Sequence, residues 1–355
     1  MSYATAATGE EPDHAEEVLE EIRQAISASD SDLKEARRRR DLVLNIAATF
    51  NGVLRTFKSG SVAHEDVNNP VDDADGGAVL DRRVHTALGP DSEAEEGPEE
   101  IMAAVRDHVM PMVRETYPEA KGRLIKRAIL IKFNAPNSDD VDPSVDLVVA
   151  LTRRDEDGLW IPNRDSDSWD ASDPEEHTRL LTAEPKALRV HRARVIRMAK
   201  AAIKHDSTPA LISFNIEALA FAHITRADTL GASLQLFFER AAADIKVRLT
   251  DDPAGVSGTI KLPPGMTRDR SAKRLGFFAD KVGEARENAR DRAAVESALA
   301  ELFPEELPNA ERSARSNVAD AIRRGDTGAM RRRLAIAPAA AIKSPRAYGD
   351  NGAST

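Results

Sequence analysis

The sequence predicts a two-lobed protein of α/β plus α class, in which a lobe containing β-strands precedes a lobe built of helices. Three observations predict it. Runs rich in β-branched residues, 124–133 (Leu-Ile-Lys-Arg-Ala-Ile-Leu-Ile-Lys-Phe) and 145–151 (Val-Asp-Leu-Val-Val-Ala-Leu), read as strands and fall in the first half. Helix-patterned stretches at about 185–205, 210–224, 230–247, 269–290 and 291–303 fill the second half. A chain of 355 residues is also long enough for two cores.

The elements follow in order. Residues 1–12 read as a disordered tail. From His14 to Phe50, Val18, Leu19, Ile22, Ile26, Leu33, Leu42, Val43 and Ile46 recur at helical spacing and predict a long N-terminal helical stretch. Residues 29–32, Ser-Asp-Ser-Asp, interrupt it and suit the cap of a second helix, with Glu35 three residues after Asp32. Residues 57–83 are small and polar around Pro70, which predicts a turn followed by a strand within Val71–Asp81. Acidic residues 89–99 read as a loop, and a helix is expected from Glu100 to Tyr117. Residues 155–177, rich in Asp, Ser and Pro, read as loop, and residues 250–266 as a break between helices. The expected boundaries are 13–182 for the strand-bearing lobe, 183–310 for the helical lobe, an additional helix at 311–337 and a flexible tail over 338–355.

Composition narrows the function classes. Aromatics are only 4% of the chain, so the core must rest on Ala, Leu, Val and Ile. The absence of cysteine excludes disulfides, thiolate metal sites and a cysteine nucleophile, and suits a reducing cytoplasm. The N-terminus carries no apolar core of signal-peptide type, and no run of about 18 apolar residues predicts a membrane span. With a net charge of −10, and basic clusters confined to Arg37–Arg40, Arg189–Arg197 and Arg331–Arg333, the chain suits small anionic substrates such as nucleoside triphosphates. Long nucleic acid is not expected as a partner.

Three segments carry the chemistry. Lys58-Ser59-Gly60-Ser61 offers a tight turn whose glycine admits a phosphate to backbone N–H groups and a hydroxyl, although Gly-Ser pairs are common. In Asp72-Asp73-Ala74-Asp75-Gly76-Gly77, alternate residues of a strand share a face roughly 6.5–7 Å apart. Asp73 and Asp75 therefore point together and Asp72 the other way. Taken alone, the segment also suits a solvated acidic turn. The third segment, Val145-Asp146-Leu147-Val148-Val149, puts a carboxylate inside an apolar strand, which is costly unless a cation or hydrogen bonds compensate it, or unless the position is an edge facing water. Together, three carboxylates can hold two divalent ions about 3.5–4 Å apart.

Phe57-Lys-Ser-Gly-Ser-Val-Ala-His, followed by Pro70-Val-Asp-Asp-Ala-Asp-Gly-Gly, resembles the signature of the polymerase-β-like nucleotidyltransferases. More closely, it is similar to the bacterial cGAS-like enzymes (CD-NTases) of anti-phage signalling. The resemblance extends through Trp160-Ile-Pro-Asn to Trp169 and Asp173-Pro-Glu-Glu-His177, then Arg194-Val-Ile-Arg-Met-Ala-Lys200 and Ser213-Phe-Asn-Ile-Glu217. It continues in Asp252-Pro-Ala-Gly-Val and Leu302-Phe-Pro-Glu-Glu-Leu-Pro308, and so covers roughly residues 15–310. It implies a bilobal fold with a mixed-sheet catalytic lobe, a long N-terminal helix and an OAS-like helical lobe.

The implied activity is condensation of nucleoside triphosphates, ATP among them, into a short cyclic oligonucleotide messenger of antiviral defence, with release of pyrophosphate. The resemblance puts Asp73, Asp75 and Asp146 on two Mg2+ ions (Mn2+ substituting), with Asp146 helping to take the acceptor's proton. It puts Gly60, Ser61, Lys200 and Ser213 on the nucleotide, and implies an activating or regulatory partner protein. A lysine on a helix suits phosphate as a point charge, while a solvated helix face shared with Lys204 is the plain alternative. His64 has no second ligand at metal-binding spacing and reads as a loop residue. Trp160 and Trp169 suit either base stacking or a cover over the core. The alternatives to the cyclase are transfer of a nucleotide to an RNA end, a protein or a small molecule, and a non-enzymatic nucleotide-binding scaffold.

Overall fold

Asp13 caps the first helix, α1 (His14–Ala25), by accepting from the N–H groups of Ala15 and Glu16. In the computed structural model, residues 13–308 are described apart from 91, 155, 184 and 206–207. The tail expected at 1–12, the additional helix at 311–337 and the tail from 338 lie outside the described residues. The α1 stripe Val18, Leu19 and Ile22 is fully buried, but in the core of the helical lobe, alongside Phe237, Phe238, Phe278 and Phe303. The sequence boundary at 13–182 assigns this helix to the other lobe. It packs instead where its apolar stripe finds α8 (Leu230–Val247) and α10 (Arg292–Leu299).

Ser29 caps α2 (Asp30–Ala47), its Oγ accepting from Asp32 N. Glu35, expected to complete a capping box, is used otherwise. It accepts from Arg38, Arg39 and the Tyr117 hydroxyl. After α2 the chain forms β1 (Val53–Ser59), α3 (Gly60–His64), β2 (Asp73–Leu80), α4 (Glu99–Thr116), β3 (Lys121–Leu124), β4 (Ile129–Lys132) and β5 (Ser144–Thr152). The hairpin β6 (Leu159–Asn163) and β7 (Ser168–Ser172) and the helix α5 (Pro174–Thr182) complete the lobe. The helical lobe adds α6 (Lys186–Lys204), α7 (Ser213–His223), α8, α9 (Arg268–Glu287) and α10. No helix among the described residues is long and apolar enough to cross a membrane.

The sheet runs β1-β2-β5-β4-β3, with β6 attached to the far end of β5 and β7 to β6. Only β2 and β5 are parallel to each other; the other pairs are antiparallel. Ala78, Leu80, Val145, Leu147, Val149, Ile129 and Ile131 point to the face covered by α2 and α4. Phe57, Val79, Leu130, Val148 and Ala150 point to the opposite face. By alternation, Asp73, Asp75 and Asp146 fall on this second face.

Some elements differ from the sequence expectation. β1 and α3 occupy residues left without an element or read as a turn, because β1 is an edge strand whose exposed Leu54 and Arg55 blur its alternation. The run 124–133 is broken at Ile125–Ala128, where the Ile125 N–H donates to the Ala128 carbonyl, and folds as the β3–β4 hairpin. The stretch 155–177, read as loop, holds β6, β7 and the first turn of α5. Most of its polar residues are at least partly exposed, while Ile161, Trp169 and His177 are buried.

One buried group braces this lobe. Arg39, 1% exposed, donates to Glu35, Asp142 and the carbonyls of Pro143 and Ala135, joining α2 to the segment that leads into β5. Hydrogen bonding from Arg38, then from Arg39 and Tyr117, holds the Glu35 carboxyl at about 2 against the upward push of partial burial. A depressed carboxyl stabilises the fold above its unfolded pKa and loses that contribution as pH falls through its folded one. The stability difference between wild type and Glu35→Gln, read from urea midpoints, is therefore expected to be complete above about pH 5 and to close towards pH 2.

Candidate active site

The end of β1 sets the site. Gly60 turns the chain from β1 into α3 at φ +72°, a left-handed conformation that glycine adopts without strain. A Cβ built there would lie 1.8 Å from Asp75 Oδ2. Only glycine lets this turn lie against the carboxylate. Ser59 pairs with Asp75 across β1 and β2, and Ser61 follows at the start of α3.

The parallel pairing of β2 with β5 does the rest. Asp75 stands opposite Asp146, and Asp73 opposite Ser144, on strands separated by about 4.8 Å. Asp75 is 2% exposed and Asp146 0%, while Asp73 is half-buried at the mouth. Asp72 lies before the strand, exposed, with its carbonyl accepting from Ser144 N. The fold thus brings Gly60, Asp73, Asp75 and Asp146 to one end of one sheet face.

Lys200 lies elsewhere than on an exposed phosphate site. Its ammonium donates to Asp66 Oδ1 at 2.8 Å and to Glu217 Oε1 at 2.7 Å, inside a buried group between α3, α5, α6 and α7. Burial lowers its pKa, but the two carboxylates outweigh that and raise it. Burial pushes Glu217 up, yet Lys200 and the imidazoles of His177 and His64 hold it well below the usual carboxylate range. For Asp66, burial prevails and the carboxyl is raised despite Lys200. The ammonium expected on a triphosphate is therefore committed to a seam between the lobes. Ser213 opens α7 half-buried, next to Phe214, which lines a small cavity shared with Gly60.

Sequence reasoning missed Asp66, His177 and the role of His64. His64 is buried at the end of α3 rather than in a loop, and its partner His177 lies in α5, within residues read as loop. No local spacing signals a pair contributed by separate elements. Trp169 is buried and donates to the Glu96 carbonyl, so it covers the core, whereas Trp160 carries the Arg153 guanidinium over its ring. The basic cluster from Arg189 is partly taken up within the protein: Arg192 is buried on the Ile224 carbonyl, and Arg189 meets Glu65, while Arg194 is exposed.

No protein-family model matches the chain, and no curated protein matches its sequence. Solved structures do match. The Bradyrhizobium diazoefficiens CD-NTase CdnG, solved with GTP, aligns over 85% of this chain and 98% of its own at TM-score 0.64 and 15% identity. The chain has the fold of the CD-NTases. Escherichia coli CdnC, solved with ATP, covers 82% of this chain and 98% of its own at TM-score 0.58 and 16% identity. The Vibrio cholerae cyclic AMP-GMP synthase DncV, solved with a linear pppApG intermediate, covers 84% and 88% at TM-score 0.53 and 13% identity.

Removing one partner of a buried ion pair leaves the other charge uncompensated, at a cost of about 3–5 kcal/mol. Lys200→Met is expected to lose stability on that scale in urea unfolding at neutral pH. An unchanged midpoint would place Lys200 outside the structural seam.

Proposed function

We propose that the chain is a nucleotidyltransferase that condenses nucleoside triphosphates into a short cyclic oligonucleotide and releases pyrophosphate. The observation that carries this is the in-register pair Asp75 and Asp146 beside the Gly60 turn, in a fold whose solved relatives hold GTP or ATP. The donor set suits a hard divalent cation: carboxylates on neighbouring strands, with a turn that leaves no room for a Cβ. Asp73, Asp75 and Asp146 would hold two Mg2+ ions, or Mn2+ in their place, which would neutralise triphosphate charge and favour ionisation of an acceptor hydroxyl.

The protein's own groups do the remaining work. Gly60 lets the triphosphate approach the backbone, and the hydroxyls of Ser61 and Ser213 hold phosphate oxygens. Asp146 receives the proton of a 3′- or 2′-hydroxyl as that oxygen attacks the α-phosphorus and pyrophosphate leaves. The cleft between the lobes aligns donor and acceptor and limits water. A cytoplasmic signalling role in anti-phage defence, under a regulatory partner, belongs to the same proposal. It is supported by the likeness to CdnC, which has been solved in complex with a HORMA protein.

Full-length protein incubated with labelled nucleoside triphosphates and Mg2+ or Mn2+ is expected to give phosphatase-resistant product. Asp146→Asn is expected to lower the rate by at least ~100-fold. Gly60→Ala, which keeps every carboxylate but crowds Asp75, is expected to be similarly impaired. Label transferred only to added RNA, or no metal-dependent binding of any nucleoside triphosphate, would sink the proposal.

A further inference from the structure

A second group of side chains stands beside the aspartates, and the proposed reaction has no use for it. His64 closes α3, His177 lies in α5 and Glu217 in α7, with ligand atoms within 4.8 Å of one another. His64 Nδ1 is 3.3 Å and His177 Nε2 3.0 Å from the same oxygen, Glu217 Oε2. All three residues are buried.

Proton placement decides what lies between them. Thr178 Oγ1 is 2.8 Å from the Pro174 carbonyl, 3.4 Å from the Lys58 carbonyl and 3.0 Å from His64 Nε2. Carbonyls only accept, so the single hydroxyl proton goes to one of them and His64 Nε2 must donate to Thr178. In the tautomer with its proton on Nε2, His64 turns a lone pair on Nδ1 toward a carboxylate oxygen 3.3 Å away, and that nitrogen has no partner in hydrogen-bond geometry among the described residues. Two lone pairs at this separation repel unless a cation lies between them. Lys200 does not fill the role, because it holds the other carboxylate oxygen, Oε1. A cavity of about 50 Å³ lined by Gly60, His64, His177, Phe214 and Glu217 adjoins the group, with room for a water, which needs roughly 10–15 Å³.

We infer that His64 Nδ1, His177 Nε2 and Glu217 Oε2 form a binding site for a divalent transition metal of the zinc class, with its fourth position toward the cavity. Two imidazoles and a carboxylate are the donors such ions take, and the two nitrogen–oxygen separations, 3.3 and 3.0 Å, are close to the edge of a tetrahedron with bonds of about 2.0–2.1 Å. Outer partners are in place for two of the three ligands, while His177 Nδ1 has none among the described residues. Thr178 accepts from the far nitrogen of His64, and Lys200 orients the carboxylate. Magnesium prefers oxygen donors and is a poor competitor here. The site stands independently of the proposed reaction.

Full-length wild-type protein, stripped with chelator and dialysed against Zn2+ in excess Mg2+, is expected to retain one equivalent of zinc and to melt at a higher temperature than the stripped form. Co2+ in its place is expected to show the absorption of a four-coordinate, nitrogen-ligated ion. Thr178→Val keeps all three ligands and is expected to weaken zinc binding ~10–100-fold, and His177→Gln to remove it. Should His177→Gln fail to fold, wild type and Thr178→Val decide. Zinc retained equally by wild type and Thr178→Val would overturn the site. So would a stripped wild type that takes up no zinc and whose His64 is an imidazolium by NMR.

Discussion

Two carboxyl groups, Asp75 and Asp146, lie directly opposite each other on the parallel strands of an otherwise apolar sheet face, and much of the surrounding structure follows from holding them there. Side chains in register on neighbouring strands point the same way, so the pairing itself supplies the convergence. A slip of one residue would send Asp146 to the face covered by α2 and α4 and bring Val145 or Leu147 beside Asp75. Several features oppose that slip. Ser144 N donates to the Asp72 carbonyl at the start of the pair, and Arg39 clamps the segment that leads into β5. On the other side of β2, Gly77 lies under the Phe57 ring and seats β1 against β2.

Placing two such groups in a water-poor environment is expensive, because like charges a strand apart cannot both ionise cheaply. Folds accept that cost where cations or substrate charge relieve it. The Gly60 turn fits this logic: it brings backbone rather than a side chain against the Asp75 carboxylate. A scaffold without chemistry would gain stability by replacing Asp146 with the valine or leucine that surrounds it in β5.

The helical lobe was legible from periodicity, since α6 to α9 fall close to the expected ranges. Asp73 and Asp75 were legible because their shared face depends only on spacing within one strand. Asp146 could be found as a charge inside an apolar run, but its opposition to Asp75 could not, because parallel register is set by a connection running through α4 and the β3–β4 hairpin. Three other strands were missed for another reason. β1, β6 and β7 are short and partly exposed, so polar residues mask their alternation. Lys200 looked like a solvated or phosphate-binding lysine because its partners, Asp66 and Glu217, come from two other segments.

The short helix α3 links the two buried polar groups. Gly60 at its start lies against Asp75, and His64 at its end faces Glu217 and His177. A five-residue helix spans about 6–8 Å and has one turn of hydrogen bonds, so it moves as a rigid piece. The contact between His64 and Glu217 therefore joins α3 to the helical lobe. A displacement at His64 would carry over to Gly60, where the closeness of Asp75 leaves almost no slack. The seam between the lobes and the aspartate face thus meet the two ends of one helical turn.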